Sequence, residues 1–99
     1  MKVKNITSNN GNKIANQFIV TDKHEMGNKI EYFQSYNSMI AKKIYDNIGA
    51  YVVETFLDQK YWNYSNTTGK YRNIFLNETI KDTRAKIKNG TYILTDLNK

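Results

Sequence analysis

The apolar residues of this chain change period near Ser65, and that change decides what it can fold into. Before it, Lys13 to Thr21 alternates, with Ile14, Phe18 and Val20 on one side and Ala15, Gln17 and Ile19 on the other. Ile19 blurs that alternation, as it would if both faces were partly covered. Lys29 to Tyr36 alternates again, setting Ile30, Tyr32, Gln34 and Tyr36 against Glu31, Phe33 and Ser35. Ala50 to Leu57 is rich in the β-branched and aromatic residues that suit a pleated surface. From Thr68 onward the spacing is helical, with Tyr71, Ile74 and Phe75 at i, i+3 and i+4. Strands first and helices afterwards imply an α+β domain, not an alternating parallel one.

Punctuation supports the same division. Val3 to Thr7 reads as a short strand. Asn10-Gly11 beyond it is a hairpin signal, because both residues tolerate positive φ. Asp22 to Asn28 is a polar connection, so the first three segments form a meander. Thr67 and Thr68 stand where a helix cap belongs, and Asn77 or Thr79 opens a second helix running to about Lys88. Asn89-Gly90 stops that helix, and Thr91 to Leu97 reads as a final strand. Asn37 to Gly49 has two readings. Ile40, Ile44 and Ile48 recur every four residues between a capping Ser38 and a closing Gly49, which favours a helix. The rival is a strand from Ser38 to Ile44 with a turn at Asp46-Asn47. The expected fold is an antiparallel sheet of about five strands with two short helices, from Thr68 and Thr79, packed on one face, followed by a last strand. No proline, repeat or low-complexity linker divides the 99 residues, so one domain is expected.

Composition limits the classes of function. Without cysteine there is no disulfide framework and no thiolate metal site, and a reducing cytosol is the expected home. The amino terminus, Met1-Lys2-Val3-Lys4-Asn5, lacks a signal peptide's apolar run, and nothing later is long enough to span a bilayer. The Asn-x-Ser/Thr triplets at Asn5, Asn63, Asn66, Asn77 and Asn89 then read as by-products of an asparagine-rich composition. The net charge of +6 suits a polyanion or an acidic protein surface as partner, and it also suits plain solubility. His24 is the only histidine, with no cysteine or nucleophile to recruit it. Glu54, Asp58, Glu78 and Asp82 have no spacing that demands pairing. Neither catalysis, a metal nor a cofactor is therefore expected.

Three groups of residues can carry binding. The helix start at Thr67, Thr68, Gly69 and Lys70, with Arg72 a turn on, combines free backbone amides, hydroxyls and two cations, which together suit an anion such as a phosphate. It is not a Walker loop, because Tyr64 occupies the position of the earlier glycine. Ordinary capping explains the same residues without a ligand. Lys81, Arg84 and Lys88 share one side of the second helix, and Lys70 to Lys88 carries a net +4. Such a row neutralises phosphates in a salt-dependent way, or simply solvates the face opposite Ile80, Thr83 and Ile87. Among the aromatics, Trp62, Tyr64 and Tyr61 are candidate contact residues, and the tyrosines generally (Tyr32, Tyr36, Tyr45, Tyr51, Tyr71 and Tyr92 included) suit base stacking, protein anchoring or a half-buried core.

Two segments carry a resemblance. Ser35-Tyr36-Asn37-Ser38-Met39-Ile40-Ala41, and Trp62-Asn63-Tyr64-Ser65-Asn66-Thr67-Thr68-Gly69-Lys70-Tyr71-Arg72-Asn73-Ile74-Phe75-Leu76, resemble a group of small, largely uncharacterised proteins of phages and mobile elements from low-GC Gram-positive bacteria. That group's pattern runs Ser-Tyr-Asn-x-x-Ile/Val-Ala, then Tyr-Ser-x-Thr-Thr, then a basic position before Phe-Leu, and it covers about residues 32 to 97. Many members have His where Tyr71 stands, so no role is carried over to that position. The resemblance implies a strand for the Ser35 to Ala41 segment, against the helix that periodicity favours. It also implies a small non-enzymatic binding protein in the host cytoplasm. The expected partner is a host protein or nucleoprotein complex, such as a CRISPR or restriction defence assembly. The alternative expectation is direct binding of DNA or RNA through the basic helix face; no membrane partner is expected, and self-association is open.

Overall fold

The computed structural model describes residues 1–24 and 26–99; Glu25, inside the predicted polar connection, lies outside the described residues. The chain forms β1 (Lys2–Thr7), β2 (Lys13–Lys23), β3 (Lys29–Ser35), β4 (Ser38–Tyr45), β5 (Val52–Asp58), α1 (Asn66–Leu76), α2 (Ile80–Lys88) and β6 (Tyr92–Thr95). All six strands join one sheet in sequence order. β1 to β5 run antiparallel, as an alternating meander should, while β6 lies parallel to β5. The sheet is therefore mixed, where a wholly antiparallel one was expected. The reason is the path: a parallel neighbour needs a crossover, and the two helices between β5 and β6 supply it.

The Ser38 segment is a strand, in agreement with the resemblance and against the four-residue isoleucine spacing. The three isoleucines share no environment: Phe33 pairs with Ala41 while Gln34 pairs with Met39, which leaves Ile40 as the extra residue of a bulge. Ile40 and Ala41 consequently both enter the core, at 1% and 0% exposure. Ile44, paired with Ile30, falls on the other face, and Ile48 sits exposed in the turn.

A continuous row of cross-strand partners crosses the sheet on each face. Ile19, Phe33, Ala41 and Leu57 are direct cross-strand partners and form the face under the helices. With Ile6, Ile40, Phe75 and Tyr92 they make the core, where the Phe33 and Phe75 rings meet at 5.9 Å between centroids. The opposite face carries Val3, Val20, Tyr32, Lys42, Phe56 and Ile93 in continuous register. Val20 and Ile30 are buried there, outside the main core cluster.

Capping explains the helix limits. α1 ends at Asn77, which takes the left-handed conformation (φ 56°, ψ 50°) that asparagine tolerates. The last turn of α1 has no basic residue of its own. Lys43 on β4 reaches it instead, donating to the Phe75 carbonyl at 2.9 Å and lying 4.1 Å from the Phe75 ring centroid. Burial pulls the Lys43 ammonium below its ordinary pKa, partly offset by Glu31. α2 starts with a capping box in which Thr79 and Asp82 exchange side-chain and backbone bonds. No helix among the described residues is long and apolar enough to cross a membrane.

Candidate interaction surface

The junction between β5 and α1 is built around a buried carboxylate. Asp58, 1% exposed, accepts from the backbone N–H groups of Lys60, Tyr61 and Leu97 at 2.8–3.0 Å. Burial alone would raise its pKa, but those N–H donors outweigh it and hold the carboxyl below the usual range. The bonds fix the aromatic turn that follows. Tyr61 and Tyr64 meet edge-on at 5.4 Å, and with Ser35, Ser38, Ile40 and Thr68 they line a cleft of about 340 Å³. The two segments that carried the resemblance thus meet here, joined by a buried hydrogen bond of 3.0 Å between the Ser35 and Thr68 hydroxyls.

The helix cap is Ser65, not Thr67 or Thr68. Its Oγ accepts from the Thr68 N–H at 3.1 Å and donates to the Thr68 Oγ1 at 3.2 Å. Thr67 is exposed, whereas Thr68 is 2% exposed and faces the sheet. Ser65→Ala should accordingly cost about 1 kcal/mol of stability. Thr67→Ala should stay within about 0.5 kcal/mol of neutral, as exposed substitutions generally do. Paired urea denaturation curves separate the two, and equal losses would contradict the assignment.

Arg72 is also turned inward, at 1% exposure. One terminal nitrogen donates to the Trp62 carbonyl (2.8 Å) and to Asn63 Oδ1 (3.2 Å), and the other to Asn73 Oδ1 (2.9 Å). Among the described residues its Nε has no partner and no ion pair involves it. Burial first, and the charge of Arg84 second, lower its pKa, with Glu78 opposing. The expected anion site at Thr67, Thr68, Gly69, Lys70 and Arg72 is therefore not assembled. Thr68 and Arg72 bond within the fold, Thr67 and Lys70 face solvent, and a methyl group on Gly69 would meet only Arg72, at 3.7 Å. The clue was available in the spacing, since Thr68, Arg72 and Phe75 share one helix face.

The outer surface holds the other candidates. The guanidinium carbons of Arg72 and Arg84 lie 5.4 and 5.9 Å from the Trp62 ring centroid, so the half-buried indole bridges an inner and an outer cation. Lys81, Arg84 and Lys88 are exposed on α2, with Thr83 fully buried on the other side, as the sequence pattern predicts. Lys86 is occupied: it pairs with Glu78 at 2.7 Å, and Glu78 also accepts from the hydroxyls of Thr83 and Tyr92. Burial and the bond to Glu78 push the Tyr92 phenol up to about 12. For Glu78, burial raises the pKa, and the Lys86, Thr83 and Tyr92 bonds more than reverse it. His24 is exposed and accepts the Met26 N–H on its Nδ1. No cluster of three or more His, Cys, Asp or Glu among the described residues could hold a metal ion.

A family model described as a family of unknown function, DUF8033, matches residues 1–91, which takes in the five-strand meander and both helices. The chain belongs to that family. No curated protein and no solved structure matches it. In this DUF8033 chain polar side chains that the sequence pattern did not mark as internal make the joints: Ser35 and Thr68 link β3 to α1, Asp58 links β5 to the residues after β6, Arg72 links the Trp62–Asn63 turn to α1, and Glu78 links α2 to β6.

Proposed function

We propose that this DUF8033 protein is a non-enzymatic binding module that acts by occupying a surface of a host nucleoprotein, in the manner expected of a phage or mobile-element inhibitor of a defence complex. What supports the reading is the outer side of α2 and its neighbour. Arg84 lies over Trp62, while Lys70, Lys81 and Lys88 are exposed and make no ion pair among the described residues. An aromatic anchor beside unpaired cations is the composition of a surface that meets an acidic partner. The buried carboxylates serve the fold, since Asp58 and Glu78 are each held by three donors.

The test is a pull-down from host lysate, before and after phage infection, using the wild-type chain and Arg84→Glu/Lys88→Glu. The wild type should retain a defined nucleoprotein, and the double variant should lose it while unfolding at an unchanged temperature. Background proteins alone in both samples would end the proposal. The exposed cations also favour a second reading, in which nucleic acid itself binds this side. Affinity for duplex DNA or RNA would then fall with salt along a log–log slope of several units, shallower by about 2 in the double variant.

A further inference from the structure

We infer that the helix-free face of the sheet is a seat for single-stranded nucleic acid, with bases stacked on Phe18, Tyr32 and Phe56 and a phosphate at Lys42. This goes beyond the reading above, which concerns the opposite side of the molecule.

Both helices lie in the crossover from β5 to β6 and pack toward the face that carries Phe33, so among the described residues no helix covers the other face. Lys42 occupies the middle of that face. Its direct cross-strand partners are Tyr32 on β3 and Phe56 on β5. The Lys42 Nζ lies 5.6 Å from each ring centroid. With strands about 4.8 Å apart, the two rings stand about 10 Å from each other across the lysine. Phe18 extends the set diagonally from Tyr32, on the neighbouring β2. All three rings are half-buried, so each still presents surface. Lys42 pairs with no carboxylate among the described residues.

That arrangement selects the occupant. A second copy docked about a two-fold axis through this row would bring Lys42 against its own counterpart in a contact that excludes water, which costs several kcal/mol. An apolar peptide would cover the rings but leave the ammonium without a counter-charge. A single strand supplies both needs, because every base has a π-face for the rings and every linkage a phosphate for the lysine. A duplex hides its base faces and satisfies only the lysine. Asp22 and Glu54 stand at the two ends of the adjacent row, beside Ile30 and Ile44, and repel a phosphate backbone there. The strand is thereby steered toward the Phe18 side, where Asn5 and Gln34 replace the acids as cross-strand neighbours.

Fluorescence anisotropy with labelled 12-nucleotide oligo-dT and oligo-U, and with a 12-base-pair duplex, tests this on the full chain over a range of salt. The single strands should bind at least tenfold tighter than the duplex. Lys42→Ala should weaken them several-fold and make the salt slope shallower by about 0.7, the value for one phosphate on a single strand. Phe56→Leu and Tyr32→Leu, which keep apolar bulk for the fold, should each weaken them about tenfold. Photocrosslinking of wild type to a 4-thiouridine oligomer should label β3 or β5, which keeps the idea testable if a variant fails to fold. Absence of binding, or equal affinity for duplex, would overturn the inference. So would crosslinks confined to α2 with loss only in Arg84→Glu/Lys88→Glu, an outcome that leaves the helix-side proposal standing. A dimer in sedimentation that dissociates on Phe56→Lys would assign the face to a second copy instead.

Discussion

Arg72→Ala is expected to lower the unfolding free energy by about 3–5 kcal/mol, the range seen when a large buried side chain is truncated. The side chain fills space under α1, ties the Trp62–Asn63 turn to the helix by two hydrogen bonds and makes a third to Asn73 within the helix. Truncation leaves a cavity, strands the Trp62 carbonyl and releases the indole from its inner cation. Against a total of about 5–15 kcal/mol for a small domain, this is a large fraction. Urea unfolding followed by Trp62 fluorescence measures it. A loss under about 1 kcal/mol would mean the buried guanidinium contributes little, because burying an unpaired charge costs nearly as much as its bonds return. Arg72→Lys should fall between wild type and alanine, since one ammonium cannot reproduce the fork that spans Trp62, Asn63 and Asn73.

Asp58→Asn is expected to be nearly as damaging, at about 2–4 kcal/mol at neutral pH. An amide presents one acceptor and one donor where the carboxylate presents two acceptors, so at least one of the Lys60, Tyr61 and Leu97 N–H groups loses its partner. The same group gives the protein an acid limit. Asp58 and Glu78 are both held below the ordinary carboxylate pKa in the fold, whereas in the unfolded chain they titrate at ordinary values. Their stabilisation is complete above the unfolded pKa and disappears as pH falls through the lowered folded values. Stability measured from about pH 7 downward should therefore decline across the carboxylate range, and Asp58→Asn should flatten that decline. An identical acid profile in the variant would contradict the role of Asp58.

The sequence made the layers legible and the joints obscure. Alternation placed β2 and β3, β-branched content placed β5, and the capping residues Asn77 and Thr79 bracketed the start of α2, because each of these is a local rule acting on consecutive residues. The parallel seat of β6 was not legible, since strand direction depends on how the intervening helices return across the sheet. Nor was the bulge at Ile40, which puts that residue in the core beside Ala41 although Ile44 falls on the other face and Ile48 in an exposed turn. The buried face of α1 lies about one position out of phase with the Tyr71, Ile74 and Phe75 spacing. Ile74, on the expected apolar stripe, is 56% exposed, while Thr68 and Arg72 of the expected anion site are inside. A pattern built on hydrophobic residues misplaces a helix whose buried face is largely hydroxyl and guanidinium. The helix-free face had the opposite difficulty. Phe18, Tyr32, Lys42 and Phe56 lie on four separate strands, and only register makes them neighbours.

The parallel placement of β6 has a consequence for the order of assembly. Each pair within β1 to β5 closes over a short turn and can form early, but β6 reaches β5 only across both helices. Loop closure of that length is slow relative to hairpin formation. Until it happens, the β5 edge from Thr55 to Asp58 is an unpaired ladder next to exposed Val52 and Val53, the point at which a nascent chain is most open to the wrong neighbour.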